Sequence, residues 1–101
     1  MKIVITYIDD KSEAEKISEE LLKNKLAGCI NIFPCFSKYW WKNKIHKTDE
    51  FILFIKTKEE LVDEIIEKIK KLHKYELPVI DIIDVEKTNE GVQEWLDEVT
   101  K

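Results

Sequence analysis

The sequence predicts an α+β chain of βαββαβ order, the ferredoxin-like or split βαβ arrangement, extended by a third helix at the C-terminus. Three observations carry this expectation. Four runs of β-branched and aromatic residues fall at 3–8, 29–41, 45–56 and 79–85. Two stretches with helical apolar spacing lie after the first and third of them. Only a short polar tract separates the second run from the third, so those two form a long hairpin.

Residues 3–8 (Ile-Val-Ile-Thr-Tyr-Ile) are almost continuously apolar, as suits a central strand. Ser12-Glu13-Ala14-Glu15 then has the form of a capping box, and Ala14, Ile17, Leu21 and Leu22 share one helical face. Lys42-Asn43-Lys44 is the polar turn of the hairpin. Thr57-Lys58-Glu59-Glu60 reads as a second capping box, followed by Leu61, Val62, Ile65, Ile66, Ile69 and Leu72 on one face of a second helix. Leu77-Pro78 breaks the chain before the strand at 79–85. Val92, Trp95, Leu96 and Val99 mark the last helix. Right-handed crossovers place the two long helices on one face of a four-stranded antiparallel sheet and leave the other face bare.

A chain of 101 residues has room for one domain, spanning 1–101. Charged residues are 38% and apolar ones 44%, which is a globular balance. No run approaches the ~18 apolar residues of a membrane span, and the start lacks a signal peptide, so the expected location is cytoplasmic without a membrane partner. All 17 basic residues are lysine and the net charge is −4. The lack of arginine, the preferred clamp for phosphate, argues against nucleic-acid binding and against acylphosphatase-like chemistry.

The hairpin implies a partner. A strand of 13 residues reaches roughly 43 Å, whereas a globule of this length has a radius of gyration of about 13 Å. Its far end carries Tyr39, Trp40 and Trp41, and such aromatic surface is not normally left in water. The expectation is an oligomer whose arms pair with neighbouring chains. The alternative is a bend at Pro34 that folds the strand over its own sheet.

Few residues suggest chemistry. Cys29 and Cys35 share a strand face but lie about 20 Å apart if the strand is extended, too far for a disulfide. Both also read as small buried hydrophobes. His73 opens the segment His73-Lys74-Tyr75-Glu76-Leu77-Pro78, which sets an imidazole, a phenol and a carboxylate beside a chain break. Imidazole with carboxylate suits a first-row metal, whereas a helix C-terminal cap is the plainer role for His73. Glu50 and Lys56 share a face of the 45–56 strand. Nucleophile, base and oxyanion donors cannot be assigned as a set, so an enzyme is not expected and no catalytic residue or organic cofactor is proposed.

Taken together, Leu26-Ala27-Gly28-Cys29-Ile30-Asn31, Ser37-Lys38-Tyr39-Trp40-Trp41, Glu50, Lys56-Thr57, His73 to Pro78 and Trp95-Leu96 resemble the signature segments of the CutA divalent-cation tolerance proteins, in order and nearly end to end. The resemblance implies a homotrimer with hairpin strands paired across subunits and a response to divalent cations, Cu²⁺ foremost, with His73, Glu76 and Cys29 as metal ligands. It further implies a cleft between subunits gathering Cys29, Tyr39, Trp41, Glu50, Lys56, His73, Tyr75 and Glu76. The alternative it implies is a PII-like trimeric sensor that binds a small ligand there in signal transduction. The sequence departs from the family pattern at Gly28 (commonly Ala), Asn43 (commonly the turn Gly), Lys74 (commonly Pro) and Val79 (often Glu). The last substitution removes one candidate metal ligand.

Overall fold

The computed structural model describes residues 1–101, in the order β1 (Lys2–Ile8), α1 (Lys11–Lys23), β2 (Cys29–Trp41), β3 (Lys44–Thr57), α2 (Val62–Leu72), β4 (Ile80–Asp84) and α3 (Val92–Val99). The strands form one antiparallel sheet ordered β2-β3-β1-β4. This is the predicted βαββαβ arrangement with its added helix. No helix is long and apolar enough to cross a membrane.

The two periodicities of the sequence meet in one core. Val4 and Ile8 of β1 and Leu53 and Ile55 of β3 alternate onto the face covered by the helices, where they pack with Ala14, Ile17 and Leu21 of α1 and Ile65 and Ile69 of α2. The opposite face carries Ile3, Ile5 and Tyr7 of β1, with the matching parity of the other strands.

Helix starts differ from the capping-box expectation in both long helices. The N-cap of α1 is Asp10, whose Oδ1 accepts from the Ser12 N–H at 2.9 Å, so the helix begins before Ser12. Thr57 caps nothing. It is fully buried at the end of β3 and donates its hydroxyl to the Leu26 carbonyl at 2.6 Å, so it ties the α1–β2 connection to the sheet. Helix α2 is entered through a 3₁₀ turn, Glu59–Leu61, with no side-chain cap.

The hairpin is straight. Its register runs unbroken from Cys29 opposite Lys56 to Trp41 opposite Lys44, through Pro34 opposite Phe51. The fold-back alternative is thereby overturned: Pro34 lies on the edge strand, where a missing donor is tolerated. The turn needs two residues, not three, with Lys42 (φ 50°) and Asn43 (φ 65°) both left-handed, the geometry whose twist suits a tight hairpin. Pairing of β3 with β1 stops at Phe51, so residues 44–50 extend past the domain by about 23 Å. The molecule measures 45 × 26 × 21 Å. On this arm Trp40 is 72% exposed, Phe36 60% and Ile45 57%.

Candidate functional site

Strand parity distributes the candidate residues. Cys29, Tyr39 and Trp41 of β2 and Glu50 and Lys56 of β3 all point to the helix-free face. They do not converge. Cys29 faces Lys56 at the base of the hairpin, whereas Tyr39 lies ten residues further along β2, about 33 Å away. Both thiols are free and half-buried, Cys29 Sγ 4.0 Å from Asn31 Oδ1 and Cys35 Sγ 3.6 Å from Ser37 Oγ.

The chain does bring together the arm and the segment between α2 and β4. Where β1 ends, the flank of β3 is uncovered, and residues 73–79 run along it. The result is a cleft of about 520 Å³ whose lining includes Tyr7, Tyr39, Trp41, Glu50, Tyr75 and Glu76. Glu50 is buried, and its Oε2 accepts from the Tyr75 hydroxyl at 2.6 Å. Burial, and then the Glu50 carboxylate, push the Tyr75 phenol far above its ordinary pKa. Glu76 is exposed and forms an ion pair with Lys42 of the hairpin turn at 3.4 Å. His46 stacks on Tyr39 with ring centroids 5.7 Å apart.

His73 sits beside this cleft in a structural role. It is the C-cap of α2, buried, with Nε2 2.8 Å from the Tyr7 carbonyl. Its Nδ1 accepts from the Tyr75 N–H at 3.2 Å, so the proton is on Nε2, which donates to Tyr7. The imidazole thus orients both Tyr7 and Tyr75. Next to it, the exposed Lys74 reaches Glu13 at 2.8 Å, and this hydrogen bond raises its pKa.

Within one chain these residues do not fit a metal ion. Both imidazole nitrogens are engaged by backbone groups, Cys29 lies at the opposite end of the sheet from Tyr75 and Glu76, and no group of three or more His, Cys, Asp or Glu side chains is placed to hold a cation.

Two participants were not singled out from sequence. Tyr7 was readable, since it alternates with Ile3 and Ile5 onto the open face. Lys42 was not, because a turn lysine gives no sign of the long-range carboxylate it meets.

Comparison with known proteins gives a consistent result. Residues 2–99 match the family model described as CutA1 divalent ion tolerance protein. The Divalent-cation tolerance protein CutA of Pyrococcus horikoshii is 43% identical over 101 residues, covering 100% of this chain and 99% of the relative. A solved structure described as the periplasmic divalent cation tolerance protein CutA of Archaeoglobus fulgidus superposes with a TM-score of 0.96 at 35% identity, covering 100% of both chains. The structure described as PII-like protein CutA from Nostoc superposes at 0.86 with 30% identity, covering 99% of this chain and 94% of that one.

Proposed function

We propose, since the chain belongs to the CutA1 divalent ion tolerance protein family, that it acts in divalent-cation tolerance as a cytoplasmic homotrimer, a binding protein and not an enzyme. The observation that carries the assembly is the arm, whose exposed Trp40, Phe36 and Ile45 and unpaired β2 edge suit pairing with a second copy of the sheet. The same arrangement supports cation binding between subunits. Cys29 lies at one end of the open face and Glu76 at the other, so a head-to-tail neighbour is what brings a thiolate to a carboxylate.

Cu²⁺ is the first cation to test, because it heads the affinity order of first-row divalent ions for a given set of donors. Isothermal titration of the assembled protein with Cu²⁺ is expected to show binding that weakens at least about tenfold in Cys29→Ala and in Glu76→Gln. His73→Asn, which acts through the fold, is expected to cost stability more than affinity. Equal affinity in the parent, Cys29→Ala and Glu76→Gln would overturn the intersubunit cation site.

A second reading is favoured by one observation. A cleft of about 520 Å³ with aromatic walls around a buried carboxylate has the size and character of a small-molecule site, as a PII-like sensor would need. A thermal-shift screen in which only metal ions stabilise the protein would exclude it.

A further inference from the structure

The cleft beside the arm holds one acid that the fold leaves partly unused. Glu50 is only 6% exposed, and its carboxylate takes one hydrogen bond within the chain, from Tyr75 to Oε2. Oε1 receives none. Besides Tyr75, four aromatic side chains stand in the same lining, Tyr7, Tyr39, Trp40 and Trp41. A carboxylate among aromatic faces is the arrangement that attracts a cation carrying an apolar body, because ring quadrupoles and the acid act in the same direction.

The lysine of the lining does not cancel this field. Lys38 has the parity of Phe36, opposite to Tyr39 and Trp41, and its Nζ lies 5.9 Å from the Phe36 ring centroid. The cleft is left with two carboxylates, Glu50 and Glu76, and its mouth already holds an ammonium. Lys42 Nζ is 5.7 Å from the Trp41 ring centroid and 3.4 Å from Glu76 Oε2, so a primary amine of the chain itself sits between an aromatic face and an acid.

The geometry points to a small organic cation, a primary ammonium on an aromatic or branched apolar body, as the ligand class of this cleft. Glu50 Oε1 takes the charge, Trp41 and Tyr39 take the body, and Lys42 is a tethered competitor at the mouth. An anion would meet the Glu50 carboxylate, which has no cation beside it, whereas Glu76 is paired with Lys42. A bare divalent ion would need donors from a neighbouring subunit, since no group of three acids, thiols or imidazoles is assembled within one chain. This inference rests on the reading of the cleft as a small-molecule site.

The test is isothermal titration of the assembled protein with three probes of one shape, phenethylammonium, 2-phenylethanol and phenylacetate. The cation is expected to bind at least about tenfold tighter than the alcohol, as a charge-assisted hydrogen bond requires. In Glu50→Gln that preference disappears, while the amide oxygen still accepts from Tyr75 and preserves the wall. Trp41→Leu lowers cation affinity by roughly threefold. Lys42→Asn, which keeps a residue suited to the left-handed turn, raises it several-fold. If the alcohol or phenylacetate binds as tightly as the cation, or Glu50→Gln keeps the preference, the organic-cation assignment falls and the cleft remains a ligand site. If none of the three binds, both fall.

Discussion

Trp40 gives the most direct measurement of what the arm is for. Buried, a tryptophan removes about 150–250 Å² from water. At 72% exposure Trp40 leaves most of that available, roughly 110–180 Å². At about 25 cal/mol per Å² this is worth 3–4 kcal/mol per protomer as an upper estimate if a neighbour covers the ring. Three symmetric contacts multiply the effect, so replacing Trp40 should weaken a trimer by about 9–12 kcal/mol in total at that upper estimate, or 10⁶-fold or more in its dissociation constant. Trp40→Thr is the appropriate change. It retains β-propensity, and Trp40 contributes nothing to the buried core, so the subunit loses little of its own packing. Light scattering across a dilution series is the assay. With a subunit of 12.1 kDa, the parent is expected near 36 kDa throughout, and the variant is expected to fall towards 12 kDa at micromolar concentration. A variant that stays near 36 kDa at nanomolar concentration would refute burial of Trp40, and a parent at 12 kDa would refute the trimer.

Three other expectations are independent of assembly. Because the Tyr75 pKa is raised in the fold, the native protein keeps a proton that the unfolded chain loses above about pH 10. Its contribution is therefore complete below that pH and declines as pH rises beyond it, a slope that Tyr75→Phe should remove from alkaline denaturation curves. Ultraviolet titration should show equal phenolate amplitude near pH ~10 in the parent and Tyr75→Phe; a larger parent amplitude would mean that Tyr75 titrates normally. Thr57→Val strands the Leu26 carbonyl in the interior and should cost about 1–3 kcal/mol in guanidinium unfolding, with a cost below 0.5 kcal/mol showing that water or a shifted backbone repairs it. Gly28→Ala places a methyl 2.8 Å from Trp95 and 2.9 Å from Leu96, so it should destabilise by about 1–2 kcal/mol; a gain in stability would mean that the half-exposed Trp95 ring swings outward.

Elements were legible in this sequence wherever a period repeats. The runs of β-branched and aromatic residues at 3–8 and 45–56 and the helical spacing of 61–72 gave strands and helix within a residue or two, because burial is what selects those residues. Helix starts were less legible. Asp10 and Ser12 both suit a cap, and Thr57 has the right chemistry for one, but the unpaired Leu26 carbonyl takes its hydroxyl instead. Gly28 stands where Ala is common, and only the packing of α3 against it reveals the missing methyl as space that Trp95 and Leu96 occupy.

The site was half legible for a related reason. Parity within one strand puts Glu50 and Lys56 on one face, and the register of the hairpin adds Cys29, Tyr39 and Trp41 to it, yet parity has no memory of distance along a straight hairpin, and that straightness depends on Pro34 being at an edge. His73 was the residue most open to misreading. An imidazole two residues before a phenol and three before a carboxylate has the composition of a metal site, and the structure spends both nitrogens on backbone groups, at Tyr7 and Tyr75. What His73 does is fix the positions of two walls of the cleft while Tyr75 in turn holds Glu50. Replacing His73 should therefore disturb the cleft even though no ligand touches it: His73→Asn is expected to lower affinity for an organic ligand held by Glu50 and Tyr75, with less effect on a cation held at Glu76, and to relax the Tyr75 phenol towards its ordinary pKa, a spectroscopic change that simple loss of a metal ligand would not produce.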